Sequence, residues 1–145
     1  MSALNMRKIS STKKHRVLIV DYVAGHHVIM SSVVGSMNPF IRFEQASSVA
    51  EAVVKLSDEI FDAVVSDAHL PDQGSDVLVK WMRARTNFNR VPFILMSSST
   101  DNQDIIHAFM ALGVDAYVTK PFRPQDLCQK LIMAFDNRNP GGAKQ

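Results

Sequence analysis

The sequence lacks several features that would identify common protein classes. It has one cysteine, Cys128, in 145 residues, which excludes an internal disulfide and fits a reducing cytoplasm. No apolar run approaches the roughly 18 residues that a membrane span needs. Dinucleotide-binding and phosphate-binding glycine loops, zinc-ligand spacings and a Ser/His/Asp arrangement are also missing. We therefore expect a cytoplasmic protein without a membrane span, in which Cys128 is a small core or surface thiol rather than a nucleophile.

Acidic residues are missing from the start of the chain. Residues 1–16 contain five Lys and Arg and no Asp or Glu, whereas the remaining 129 residues carry 11 bases and 14 acids. A nucleic-acid partner is not indicated, since its basic charge should cluster on a folded face. We predict a basic flexible arm at 1–15, a folded domain at 16–136 and a flexible tail at 137–145. The arm is either a solvated tail or a contact for acidic partners or lipid.

The folded part reads as five strands, each followed by a helix. Short apolar, β-branched runs alternate with segments of helical periodicity. Ser48 with Glu51, and Thr100 with Gln103, have capping-box spacing, and Gly113 has the position of a helix-ending glycine. The predicted strands cover residues 16–21, 40–45, 61–67, 91–96 and 115–119. Three predicted helices cover residues 24–37, 75–85 and 100–112. Two more begin at Ser48 and Pro124 and extend at least to Leu56 and Phe135.

Strict βα alternation predicts an α/β fold with a parallel sheet between two helical layers. Since crossovers are right-handed, few topologies remain, and we predict a flavodoxin-like (βα)5 sandwich with strand order 2-1-3-4-5. The first helix should pack through His26, Ile29 and Val33. Adjacent His26 and His27 point to different helix faces, so they are expected to be ordinary core or surface residues rather than metal ligands. Gly74 is interpreted as a turn glycine with positive φ.

Four predicted strands end on polar residues. These are Asp21, Asp67, Ser97 and Lys120. Asp67 alone could simply cap a turn. In the predicted order, however, Asp21 and Asp67 face each other at the carboxyl edge, where α/β sheets bind ligands. Two neighbouring carboxylates repel unless a cation or proton intervenes, and Mg²⁺ prefers such oxygen ligands.

Over residues 16–136, the sequence resembles the receiver domain of bacterial two-component response regulators. The resemblance rests on the four segments VLIVD, VVSD with LPDQG, PFILMS, and DAYVTKPF, which begin at residues 17, 64, 92 and 115. It implies a single-domain response regulator in a phosphorelay, a switch rather than an enzyme. A histidine kinase or histidine phosphotransfer protein would be the phosphoryl donor, and a further protein would be the target.

The resemblance also implies the site roles. Asp67 would be the phosphoacceptor, helped by Lys120 and the Ser97 hydroxyl. Asp21, Asp67 and the backbone carbonyl of His69 would bind Mg²⁺. Ser97 and Tyr117 would be the switch residues, and Lys120-Pro121 would be a cis bond. The output face would be that of the fourth helix, fifth strand and fifth helix, with candidate contacts Ile106, Met110, Tyr117 and Gln125.

One position departs from the family pattern. Two consecutive acids normally end strand one, but here Tyr22 follows Asp21. We expect Tyr22 to weaken Mg²⁺ binding and to partly fill the cleft. A degenerate receiver that acts as a phosphorylation-independent interaction module is therefore the alternative. A phosphatase-like hydrolase is less favoured, because His69 stands where its second acid would be. His69 itself could shield the phosphoryl group from water or have no role.

Overall fold

The computed structural model describes residues 14–23 and 25–138 and shows a five-stranded parallel sheet between two helical layers. The predictions for residues 1–13 and 139–145, and for the side chains of His26 and His27, lie outside the described residues. The strands are β1 His15–Val20, β2 Ile41–Ala46, β3 Ala63–Asp67, β4 Phe93–Ser97 and β5 Ala116–Thr119. The helices are α1 His26–Met37, α2 Val49–Asp58, α3 Ser75–Arg83, α4 Gln103–Leu112 and α5 Pro124–Arg138. Within these ranges, no helix is long and apolar enough to cross a bilayer.

The strand order is β2-β1-β3-β4-β5, which confirms the predicted 2-1-3-4-5 topology. Strand residues alternate between two apolar layers, as the period of an extended chain requires. Leu18 and Val20 of β1 pack toward α2, α3 and α4, whereas Val17 and Ile19 pack toward α1 and α5. Both layers are apolar, so the central strands are buried on both faces. Cys128 of α5 is buried in the second layer, as expected of a packing residue, and burial raises the pKa of its thiol.

The predicted packing face of α1 is wrong. Ile29 is 60% exposed and Val33 is 37% exposed, while Val34 is fully buried and Met30 is partly buried against the core. The cause lies in the α1 sequence, which contains no Asp, Glu, Lys or Arg to mark a solvent face. Several apolar side chains can then occupy either side of the helix without an obvious penalty.

Two of the four local glycine and cap predictions need correction, while the Ser48 and Glu51 capping box is confirmed. α4 is capped by Asn102, whose side chain accepts a hydrogen bond from the Ile105 amide, rather than by Thr100. Gly74 has an ordinary φ of −72°, and a Cβ there would instead collide with the carboxylate of Asp76. Gly113 has φ 111° at the end of α4, which confirms the predicted helix-ending glycine.

Candidate functional site

Asp21 and Asp67 leave neighbouring strands at the same level of the sheet. Val20 of β1 pairs with Ser66 of β3, so the next residue of each strand is one of the two aspartates. Asp21 is 1% exposed and Asp67 is 7% exposed. The parallel sheet therefore brings both carboxylates to one nearly dry position, as the strand-end pattern predicted.

Lys120 joins this pair from the end of β5. Its Nζ lies 2.5 Å from Oδ1 of Asp67 and 3.7 Å from Oδ2 of Asp21. The lysine side chain is one-third exposed, whereas both carboxylates are buried. The Lys120-Pro121 peptide bond is cis, as the family resemblance implied. One ammonium group thus faces two carboxylates, and the three groups together keep a net negative charge.

Burial raises the pKa of Asp67 to about 6. The ion pair with Lys120 lowers this pKa, while the negative charge of Asp21 raises it further. Desolvation penalises the charged carboxylate, and the single nearby ammonium does not fully compensate. Asp67 is therefore ionised above about pH 6 and is increasingly protonated below it.

Ser97 lies at the end of the central strand β4 and is fully buried. Its Oγ donates to the carbonyl oxygen of Val118 at 3.4 Å and lies 3.2 Å from Oγ1 of Thr119. The hydroxyl that the sequence predicted near the carboxylates is therefore hydrogen-bonded to β5 in this state.

His69 and Asp101 connect the two loops that border the site. The His69 ring Nε2 lies 3.2 Å from Oδ1 of Asp101, and the other carboxylate oxygen accepts from the amide of Ser98. Burial raises the pKa of Asp101, but the Ser98 amide and His69 outweigh it and hold the pKa below its usual value. The sequence did not indicate this contact, because 32 residues separate the two side chains.

Asp72 is a second structural residue whose role the sequence did not indicate. Its carboxylate accepts hydrogen bonds from the amides of Val49 and Ala50, both at 3.0 Å, at the start of α2. It thereby fixes the loop after Asp67 to a neighbouring helix. The Pro71-Asp72 sequence indicated only a turn, since capping of a distant helix has no local signature.

The carboxylates at Asp67 and Asp21 fit a hard divalent cation that takes only a few of its ligands from the protein. Among the described residues, no group of three or more His, Cys, Asp or Glu side chains could hold a metal ion. Two buried carboxylates nevertheless converge here, and Lys120 supplies only one positive charge against them. Mg²⁺ retains several waters in protein sites and is commonly bound through one or two carboxylates, so the side chains of Asp21 and Asp67 fit it.

Tyr22 was expected to fill part of the cleft, but its side chain is turned largely to solvent. Its side chain is 59% exposed, and it is not among the residues that line the cavity beside Asp21. Position 22 therefore supplies no carboxylate beside Asp21.

The expected output face is only partly exposed. Ile106 of α4 is 5% exposed and packs inward, so it is not available as a surface contact. Met110 is 38% exposed, Gln125 is exposed, and Tyr117 is partly buried against the core. Three of the four candidate contacts can thus reach a partner.

Comparisons with known proteins agree with this geometry. The profile of the response regulator receiver domain matches residues 17–132. The chain is 28% identical over 124 residues to the chemotaxis protein CheY-3 of Vibrio cholerae, covering 86% of this chain and 94% of that protein.

Solved structures show the same fold. A CheY-like receiver domain protein from Methanospirillum hungatei superposes with a TM-score of 0.78 at 22% identity, covering 89% of this chain and 99% of the other. The receiver domain of a Pseudomonas aeruginosa sensor histidine kinase, solved with magnesium in its active-site cleft, gives 0.72 at 21% identity, with 84% and 98% covered.

Proposed function

The chain belongs to the response regulator receiver domain family, and on this premise we propose that Asp67 accepts a phosphoryl group. A histidine kinase or histidine phosphotransfer protein would be the donor. The observation that carries the proposal is the buried Asp67 carboxylate with Lys120 at 2.5 Å and Asp21 beside it. This combination supplies a nucleophile and a cation at one sheet edge.

The transfer step follows from the carboxylate geometry. Oδ1 of Asp67 is paired with Lys120, which leaves Oδ2 to form the bond to phosphorus. The N–P bond of the donor phosphohistidine breaks, and the departing imidazole takes a proton from solvent. Lys120 can follow the charge to the phosphoryl oxygens, because its long side chain is held at the mouth of the site.

Asp21, Asp67 and the His69 carbonyl would hold Mg²⁺, which family members typically bind. When bound, the metal supplies positive charge for the transferred phosphoryl group. The single acid at the end of β1 supports weaker binding than a two-acid site would give, since affinity for hard cations follows ligand charge.

The output would be a change in protein–protein contacts at the α4–β5–α5 face. Ser97 would rotate from Thr119 toward the phosphoryl group, and Tyr117 would follow it inward. The protein would then act as a switch rather than as a turnover enzyme. Sustained hydrolysis of para-nitrophenyl phosphate would contradict that assignment.

A second candidate function is a degenerate receiver that binds partners without being phosphorylated. The lone Asp21 favours it, because Tyr22 contributes no metal ligand at the end of β1. Both candidates share the fold and the surface, so they differ only in the chemistry of Asp67.

Acetyl phosphate with Mg²⁺ separates the two candidates. We expect intact-mass spectrometry to show one added phosphoryl group, absent from the Asp67→Asn variant. Tyr22→Asp should lower the Mg²⁺ concentration for half-maximal labelling by about tenfold, by adding a carboxylate ligand, whereas Tyr22→Asn should not. No labelling of the wild type or of Tyr22→Asp at saturating Mg²⁺ would favour the degenerate receiver.

A further inference from the structure

Gln45 lies at the carboxyl end of the edge strand β2 and contacts the turn that follows β1. Its Nε2 donates hydrogen bonds to the carbonyl oxygens of Asp21, at 2.6 Å, and Val23, at 3.3 Å. Both partners are acceptors, so the side chain must present its NH₂ group rather than its oxygen to the turn. The two carbonyls flank Tyr22, the residue that stands in place of the second acid of the family pattern.

Two further hydrogen bonds fix the same turn. The Val23 amide donates to Oδ1 of Asp21 at 2.9 Å, which makes an Asx turn around Tyr22. The Asp21 amide donates to the carbonyl oxygen of Ala46, which continues the pairing of β1 with β2 by one residue. The backbone on both sides of Tyr22 is therefore held in place. The direction in which the Tyr22 side chain leaves the backbone is held with it.

Gln45 is a polar residue in an apolar row of its strand. Ile41 and Phe43 precede it at intervals of two and are buried in the layer formed with α1 and α5. Residues two apart in a strand share one face, so Gln45 continues this row with a partly exposed amide. Packing alone would favour another apolar side chain at this position. The turn carbonyls that the amide satisfies explain why a donor stands there instead.

A cavity of about 460 Å³ lies beside this turn, and Asp21 and Lys120 form part of its wall. The apolar part of the lining comes from β1, α1, β4 and the β5–α5 connection and consists of Ile19, Ile29, Met30, Met96, Pro121 and Phe122. A space of this volume has room for an aromatic ring. Tyr22 follows Asp21 directly, yet its side chain is 59% exposed and does not line the cavity.

We propose that Gln45 is a positioning residue that keeps the Tyr22 ring out of this cavity. Entry of the ring would remove apolar surface from water, which favours the movement. The turn must rotate for the ring to enter, and Gln45 then loses both of its carbonyl acceptors, which opposes the movement. Without the Gln45 amide, the ring enters the cavity and packs against Met30 and Met96.

The consequence for phosphorylation rests on the proposed function. Asp21 and Lys120 line the cavity, and Lys120 also contacts Asp67. A ring in the cavity displaces water from the two lining charges and leaves less space beside them for a divalent cation or an incoming phosphoryl group. Loss of the Gln45 amide therefore slows labelling of Asp67, although the nucleophile and Lys120 are unchanged.

The position of the ring is measured without phosphorylation, by NOEs in the full chain between the Tyr22 ring protons and the methyl groups of Met30 and Met96. We expect none in the wild type and clear NOEs in Gln45→Ala and in Gln45→Glu, which keeps the shape but loses the donor. Arg42→Ala, an exposed position on the opposite face of β2, is the control and should match the wild type. Absence of these NOEs from a folded Gln45 variant would overturn the proposal.

A double variant separates the positioning of Tyr22 from a general loosening of the turn. Gln45→Ala should slow labelling of Asp67 by acetyl phosphate about fivefold or more, whereas the same change in a Tyr22→Ala background should slow it by less than about twofold. Equal losses in both backgrounds would overturn the role assigned to Gln45. If Asp67 is never labelled in the wild type, the proposed function fails, while the NOEs still decide where the ring lies.

Discussion

Asp67 combines burial with a charge that its surroundings only partly balance. Its pKa of about 6 lies above the usual 3.8, first because of desolvation. The folded state therefore binds more protons than the unfolded state between about pH 4 and pH 6. Wild-type stability should fall as the pH rises through this window and should then stay level with respect to this group.

We predict that Asp67→Asn stabilises the protein at pH 7.5 by about 2 kcal/mol, because a neutral side chain of the same shape avoids the desolvation cost. The gain should shrink toward zero as the pH falls below 4. Urea denaturation at pH 7.5 and 4.0 measures both values. Asp58→Asn, which removes an exposed carboxylate at the end of α2, is the control, and a destabilised Asp67→Asn at pH 7.5 would contradict the account.

The convergence of site residues was predictable from sequence, but their hydrogen bonds were not. Asp21, Asp67 and Lys120 meet because carboxyl ends of parallel strands share one edge, and strand ends can be read from apolar runs. The direction of the Ser97 hydroxyl depends on Thr119 of the neighbouring strand. Such a choice between partners is made only in the packed molecule.

At the scale of elements, α2 and the loop after β3 stabilise each other. Asp72 satisfies two amides at the start of α2, and Ser48 satisfies the amide of Glu51. The Glu51 side chain in turn accepts from the amide of Ser47. The first turn of α2 is thus held partly by its own cap and partly by the loop after β3, which links the order of the two segments.

We predict that Asp72→Ala destabilises the protein by about 1 kcal/mol, the usual cost of a lost helix cap. The amides of Val49 and Ala50 should show the largest increase in hydrogen exchange, because they lose their acceptor. Gln73→Ala changes the adjacent exposed side chain and should leave both amides protected. Unchanged exchange at these amides in Asp72→Ala would refute the capping role.

Helix existence was easier to predict than helix orientation. All five helices were expected from periodicity, and α5 begins at Pro124 as predicted. α1 faces inward through Met30 and Val34 rather than Ile29 and Val33, since nothing charged in its sequence marks the outer side. Its orientation is decided by how well these apolar side chains fit the sheet and α5.

At the scale of the whole molecule, the candidate site and the hydrogen bonds of Arg83 lie at opposite ends of the strands. Arg83 of α3 donates hydrogen bonds to the carbonyl oxygens of Gly113, Phe88 and Val91 and pairs with Asp115 at 3.2 Å. Its side chain is 14% exposed. One guanidinium therefore joins the connections before β4 and before β5, at the opposite end of the strands from Asp67.

We predict that Arg83→Gln lowers the free energy of unfolding by about 3 kcal/mol, because it leaves partly buried acceptors without their donor. Arg85→Gln, which loses a bond to the Trp81 carbonyl and contact with its ring, should cost less than about 1 kcal/mol. Denaturant titration compares the two. Acetyl phosphate labelling of the folded Arg83→Gln protein should match wild type within about twofold. A larger loss would show that the two ends of the sheet are coupled.

The bond between Ser97 and Thr119 gives the resting molecule a defined bias. A neutral hydrogen bond contributes about 1 kcal/mol net, which corresponds to roughly a fivefold preference for one rotamer over another. Such a preference is small enough for thermal motion to sample the alternative rotamer often. We therefore expect the two conformations to coexist before any signal arrives, with the signal changing their proportions rather than creating a new shape.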